Sequence, residues 1–329
     1  MSIPSTMRAL QQTTLHGPAD LQLLDSAPVP APGPGEVLVR VEAAGVNFAD
    51  VMQTRGTYHG GPRAPYLAGF EAAGEVAALG AGVTGLTAGD RVIGIGHGAF
   101  AEYMVMPAAK AAPVPDGWTG EQALGLVLNW ATALAALKPL GRIAAGETVL
   151  VHAAAGGVGQ AAVRMAKHYG ATVIGTASHA KHGTVRALGA DHVLDYRTAD
   201  VAAEVLRLTG GRGADLVLES AGTSFTPSLA AARRVTGRVV VYGLAGGESA
   251  VTNWDLVFRH QIHLIGLHIA VLAESEPEIF AGLMTELSTL KDAGVFTPGQ
   301  PTVYSLAEGA RALADLEAGH TTGKLAIRP

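Results

Sequence analysis

The chain has 329 residues, enough for two domains that each bury a core, and its 48% hydrophobic and 16% charged content is that of a globular protein. A net charge of −5 with no basic run excludes nucleic acid as the main partner and gives no signal for an anionic membrane surface. Zero cysteines exclude disulfides, thiolate metal sites and a cysteine nucleophile. The first ten residues lack an apolar signal core, and the longest apolar stretch, 123–137, is interrupted by Asn129 and too short to span a bilayer. The reading is a cytoplasmic protein with no membrane partner.

In chain order, a proline and glycine run at 28–35 precedes an alternating strand at 37–41. Further short strands follow at 71–77, 91–95 and 100–106, separated by turns such as Ala81-Gly82 and Ala88-Gly89-Asp90, which predicts a small β-rich barrel or sandwich. From Glu121 to about Leu140 the pattern is helical and alanine-rich. Apolar strands at 148–154, 171–177, 192–196, 214–220, 238–243 and 263–269 then alternate with helices. Parallel strands need crossover connections, so this alternation predicts a doubly wound, parallel, six-stranded sheet covered on both faces. Two helical patterns at 277–293 and 306–319 and a last strand at 324–327 are assigned back to the first domain.

The segment 149–170 organises this second half. A buried strand, 149–155, runs into Gly156, Gly157, Val158 and Gly159, after which Ala161, Ala162, Met165, Ala166 and Tyr169 recur at helical spacing. Glycines allow backbone N–H groups to approach a pyrophosphate, and the helix start favours negative charge. Against the dinucleotide pattern G-x-G-x-x-G, the second and third glycines are Gly156 and Gly159, while Ala154 stands in the first position. A glycine-rich turn without a ligand is the alternative, and the strand–turn–helix–strand context favours the nucleotide. An NAD site of this kind has an acid about 20 residues further on, at the end of the second strand. Here 176–182 contains no carboxylate, but Ser178 and Lys181 offer a hydroxyl and an ammonium for a 2′-phosphate. A helix N-cap and a solvated lysine are the alternatives for these two residues. The cofactor reading is therefore NADPH (NADP) over NADH.

Several motifs together are similar to the zinc-independent medium-chain dehydrogenase/reductases, and in particular to NADPH:quinone oxidoreductases. They are Ala43-Ala44-Gly45-Val46-Asn47-Phe48-Ala49-Asp50, Gly69-Phe70-Glu71-Ala72-Ala73-Gly74, Gly89-Asp90-Arg91-Val92, Ala153 through Gly159, Gly189-Ala190-Asp191 and Thr322-Gly323-Lys324. The resemblance implies an α/β protein: a GroES-like, β-rich catalytic domain from residues 1–122 and 270–329, a Rossmann domain over 123–269, and an active site in the cleft between them. It also implies a homodimer formed through the last Rossmann strand, 263–269. Asn47 and Phe70 stand where zinc-dependent relatives carry a cysteine and a histidine, so no metal is expected. The pairs His179 with His182 and His260 with His263 lack a further ligand and read as ordinary histidines.

The resemblance further implies that Asn47 lies on the nicotinamide side of the cofactor, that Thr132 contacts the cofactor from the Rossmann domain, and that Gly156 to Gly159 hold the pyrophosphate. Ser178, Lys181 and Tyr196 surround the adenosine ribose phosphate, Gly222, Gly243 and Leu244 face the nicotinamide, and Lys324 lies near the cofactor. Tyr58, in the loop after Asn47, is the candidate for binding or protonating the acceptor, with a rim aromatic as the alternative. Asp50 is read as fixing its loop through side-chain to backbone bonds. Met52 departs from relatives that carry a tyrosine near the nicotinamide. The expected reaction is hydride transfer to a small conjugated acceptor, either a quinone or an enone, enal or enoyl thioester. The second acceptor class stays open because the glycine segment also resembles the enoyl reductase modules of polyketide synthases. An NADPH-binding structural or sensor protein is the non-enzyme alternative.

Overall fold

A computed structural model describes residues 3–329. The chain divides into two compact units, Met1–Val127 with Pro298–Pro329, and Leu128–Thr297.

The first unit is built on antiparallel strands: β1 (Thr6–Gln12), β2 (Leu21–Pro28), β3 (Glu36–Val46), β4 (Tyr66–Leu67), β5 (Glu71–Leu79), β6 (Arg91–Ile95), β7 (Tyr103–Pro107) and β8 (Ala111–Pro113). Helix α1 (Phe48–Thr54) follows β3 directly, and α2 (Gly120–Ala123) is a single turn. Strand β3 is the spine. It pairs with β5 and β7 and with the returning tail strand Leu325–Arg328, and it buries Val37, Val39 and Val41 against Phe100, Met104 and Met106. The register places Gly45 opposite Glu71 and Val46 opposite Leu325, so the residues just beyond these positions meet at one end of the sheet.

The second unit contains α3 (Ala131–Leu137), β9 (Thr148–Val151), α4 (Gly157–His168), β10 (Thr172–Ala177), α5 (His182–Ala187), β11 (His192–Asp195), α6 (Val201–Leu208), β12 (Leu216–Glu219), α7 (Phe225–Ala231), β13 (Arg238–Val241), β14 (His263–Gly266), α8 (Ile269–Ser275) and α9 (Pro277–Asp292). Six strands pair in the order β11-β10-β9-β12-β13-β14, all parallel. This is the doubly wound Rossmann order, which reverses between β9 and β12. The antiparallel β-rich unit and the six-stranded parallel sheet thus match the expected fold class.

Two expectations need correction. Residues 270–297 cluster with the nucleotide-type unit rather than the first, because α9 is tied to its helices. Glu286 of α9 accepts hydrogen bonds from the Tyr169 hydroxyl at 2.7 Å and the Lys138 ammonium at 2.8 Å, and Phe296 packs as a tilted ring against Trp130 with centroids 4.1 Å apart. The helical pattern expected over 121–140 is also interrupted: α2 ends at Ala123, Gly125 turns with φ 91°, and a π-type turn over Leu126–Trp130 precedes α3. Among the described residues, no helix is long and apolar enough to cross a membrane.

Candidate functional site

In the first unit, a buried polar centre forms where β3, β5 and the tail strand meet. Glu71 is fully buried, its Oε1 accepts the Gly125 N–H at 2.6 Å, and its Oε2 accepts the Asn47 amide at 2.8 Å and the Lys324 ammonium. Lys324 Nζ also donates to Asn47 Oδ1 at 2.7 Å. The broken helix is the local consequence of this centre, since it frees the Gly125 N–H to serve the carboxylate. Gly45 is required beside it, because a Cβ there would lie 2.4 Å from Glu71 Oε2 and 2.8 Å from Lys324 Cε. The structure therefore brings together Asn47 and Lys324, and adds Glu71, which entered the sequence reading only as part of a motif. A buried carboxylate is costly unless paired, and here one ammonium and two N–H donors satisfy it.

Asn47 caps α1 in a capping box: its N–H donates to Asp50 Oδ2 at 2.7 Å. This is the loop-fixing role read from the sequence. Asp50 is buried, and its Oδ1 has no hydrogen-bond partner among the described residues. Burial pushes its carboxyl up to about 8, with Glu71 adding to the rise and the Asn47 N–H and Lys324 opposing it. Tyr58 is half-buried, and burial, then the charge of Asp50, raise its phenol. The same two causes push Tyr66 up to about 12.

In the second unit, Gly156 is the N-cap of α4 and Gly157, Val158 and Gly159 form its first turn. Ala153 holds a left-handed φ of 47°, which turns the chain out of β9 three residues earlier than the sequence suggested. A Cβ at Gly159 would lie 2.3 Å from Ala153 O and 2.7 Å from Ala154 Cα, so this glycine lets the helix close onto the turn. These are the two glycine roles, backbone approach and tight packing, that a pyrophosphate turn requires.

The ends of β10 and β11 lie side by side, with Ala177 opposite Asp195. Ser178 sits at the N-cap position of the turn 179–181 but makes no side-chain capping bond there, which leaves its hydroxyl to other partners. Lys181 follows in that turn; burial, then Arg197, lower its ammonium pKa. Tyr196 is exposed, with the Arg197 guanidinium 5.7 Å from its ring centroid. Ser178, Lys181 and Tyr196 are thus gathered, and Arg197 joins them as a cation that the sequence reading passed over although it directly follows Tyr196. Asp195 stands beside this edge at the end of the neighbouring strand, with its Oδ1 accepting the Arg197 N–H at 3.0 Å.

Gly222 and Leu244 line one cavity of about 380 Å³ with Phe225, Val241, Ser249 and Gly266. Gly222 has φ 73° and its missing Cβ would lie 1.9 Å from Gly247 O; a Cβ on Gly243 would meet Ser220 O at 2.6 Å. Glu219, fully buried at the end of β12, fixes this loop by accepting the N–H groups of Ala221 and Gly222, both at 2.8 Å. Thr132 lies buried in the first turn of α3.

These two units are matched by family models described as "Alcohol dehydrogenase GroES-like domain", over residues 33–116, and "Zinc-binding dehydrogenase", over 157–288. The human synaptic vesicle membrane protein VAT-1 homolog is 33% identical, with the match covering 94% of this chain and 82% of that one. The pikromycin polyketide synthase component PikAII of Streptomyces venezuelae is 36% identical over 98% of this chain, which spans only 8% of that protein's length. Among solved structures, a mycobacterial protein complexed with NADPH superposes with TM-score 0.92 at 35% identity, covering 98% of this chain and 100% of the other. Escherichia coli quinone oxidoreductase complexed with NADPH gives 0.91 at 30% identity, with the same coverages. The CurK enoyl reductase gives 0.89 at 28% identity, covering 98% and 99%. A GroES-like domain joined to a doubly wound dinucleotide sheet defines the medium-chain dehydrogenase/reductase class. The chain belongs to that superfamily and, within it, to the quinone oxidoreductase family.

Proposed function

We propose that the protein is a zinc-independent NADPH-dependent reductase that delivers hydride to a small conjugated acceptor, a quinone in the first reading. The observation that carries this is the edge formed by Ser178, Lys181, Tyr196 and Arg197 beside a glycine turn built for a pyrophosphate. Two cations and a hydroxyl suit a dianionic 2′-phosphate, and the single acid, Asp195, has one oxygen turned to the Arg197 N–H. The residues that would hold NADPH are Gly156, Gly157, Val158 and Gly159 at the pyrophosphate, the 178–197 edge at the ribose phosphate, and Gly222, Gly243, Leu244, Thr132, Asn47 and Lys324 toward the nicotinamide. The bound cofactor would supply the hydride from its reduced ring. Lys324 already neutralises Glu71 and bonds to Asn47 Oδ1, so this centre is charge-compensated without a metal ion. Its N–H and ammonium donors are fixed by mutual hydrogen bonds, and preorganised donors of this kind stabilise a developing oxyanion at little reorganisation cost. Tyr58, half-buried with a raised phenol pKa, stays protonated at neutral pH and is the proposed donor to the acceptor.

A second reading, reduction of an enone, enal or enoyl thioester, is favoured by the similarity to CurK enoyl reductase and to a polyketide synthase component. The test is NADPH oxidation followed with a panel of quinones, enones, enals and an enoyl thioester. Acceptor-dependent oxidation that persists in a chelator supports the proposal, and the preferred acceptor separates the two readings. NADPH binding without turnover on any member would instead support a structural or sensor role. We further propose a homodimer through β14. It is the edge strand of its sheet, and exposed Leu264, Trp254, Val257 and Phe258 lie on or near it in the chain.

A further inference from the structure

At the ends of β10 and β11, two histidines of one turn and an aspartate of the neighbouring strand converge. One ligand atom from each of His179, His182 and Asp195 lies within 4.8 Å of the others. His182 is buried, and its Nε2 lies 3.1 Å from Ala177 O. A carbonyl can only accept, so Nε2 carries the proton and Nδ1 keeps its lone pair in the neutral ring. Metal-binding imidazoles are commonly oriented in this way, by donating their second ring nitrogen to a carbonyl or carboxylate. The His179 ring is exposed, with its centroid 5.2 Å from that of His182. Asp195 directs Oδ1 to the Arg197 N–H, and the pairing of Ala177 with Asp195 holds the carboxylate beside the histidine turn.

We propose that His179, His182 and Asp195 form a binding site for a divalent transition metal of the zinc class. Two imidazoles and one carboxylate suit such an ion, whereas magnesium and calcium favour oxygen-only shells. Three protein ligands leave a fourth position for water or another oxygen ligand. Ligand atoms in a tetrahedral zinc site stand about 3.3 Å apart, given bonds of about 2.0 Å, so the cluster must contract by at most roughly 1.5 Å. His179, exposed and without a hydrogen bond to its ring nitrogens among the described residues, is free to make that movement. Lys181 and Arg197 place two positive charges nearby, so the affinity falls short of that of a structural zinc site. The sequence spacing offers the histidine pair no third ligand, and the sheet register supplies it. The site contains no residue assigned to the pyrophosphate turn or to the Asn47–Glu71–Lys324 centre but lies within the 178–197 edge proposed for the ribose phosphate, so metal binding is measured without NADPH.

The test is Zn²⁺ titration of the metal-stripped full chain against a chromophoric chelator, with Co²⁺ as a spectroscopic probe. One equivalent should bind with a Kd on the order of micromolar, raise the Tm and give the visible bands of Co²⁺ in a low-coordinate nitrogen and oxygen shell. H179A and D195N should each weaken binding at least about tenfold and remove the Co²⁺ bands, with unchanged circular dichroism. Asn at 195 keeps an oxygen for the Arg197 N–H, and His179 is exposed, so both variants should fold. The proposal is overturned if no saturable binding occurs up to roughly millimolar Zn²⁺, or if both variants bind as the parent does.

Discussion

Asp50 spends capping energy in an unusual place. Because burial raises its carboxyl from 3.8 to about 8, the folded chain holds a proton that the unfolded chain has released above 3.8. Across that window the native state binds more protons, so stability falls as pH rises, by at most about 1.4 kcal/mol per pH unit. D50N keeps an acceptor for the Asn47 N–H but cannot ionise. Urea unfolding should therefore show D50N gaining on the parent from pH 4 to pH 8, and a constant difference would mean that Asp50 is already ionised in the folded state. Lys181 acts on the ligand instead of the fold. A charge-assisted contact to a 2′-phosphate contributes about 1.5 to 3 kcal/mol, so K181A should weaken NADPH binding by about ten- to a hundredfold and leave NADH nearly unchanged. Equal loss for both cofactors would make Lys181 a plain solvated lysine.

Among the elements, strand pairing does what no single motif could reveal. The alternation of strands and helices was legible because parallel strands are apolar on both faces, and the turn at Gly156–Gly159 was legible because glycine alone permits that packing. Glu71, Arg197 and Asp195 were not legible as site residues. Glu71 meets Asn47 and Lys324 across two antiparallel pairings, and Asp195 meets His182 across a parallel one, so neither neighbour is near in sequence. The helix expected over 121–140 failed for a related reason: local alanine propensity was overridden by a tertiary hydrogen bond from Gly125 to Glu71. The strength of that centre can be measured. K324M leaves a buried carboxylate without its cation and should cost about 3 to 5 kcal/mol, whereas adding E71Q should restore much of the loss. If the double variant were no more stable than K324M, the ion pair would not be the source of the effect. Both should be read by urea unfolding, since the cost lies in the fold and is present without cofactor.

At the scale of the whole molecule, the second unit's sheet ends in β14, whose outer edge has no strand paired to it among the described residues. Chains manage such edges with charge, proline or cover, because unpaired backbone groups recruit another strand. Here the flanking segment instead exposes Trp254 at 64% and Phe258 at 59%, packed against each other as tilted rings with centroids 4.3 Å apart. Large apolar side chains exposed beside an open edge fit a twofold pairing of β14 with its copy, in which each protomer supplies the same patch. Light scattering should then give twice the 33.5 kDa chain mass. Introducing like charges that would face each other across the twofold, in W254E with F258E, should shift the mass to that of one chain. It should leave NADPH binding in place, because neither side chain belongs to the glycine turn, to the Ser178–Arg197 edge or to the cavity lined by Gly222 and Leu244. A parent that is monomeric at working concentration, or charge variants that remain dimeric, would locate the interface elsewhere or remove it.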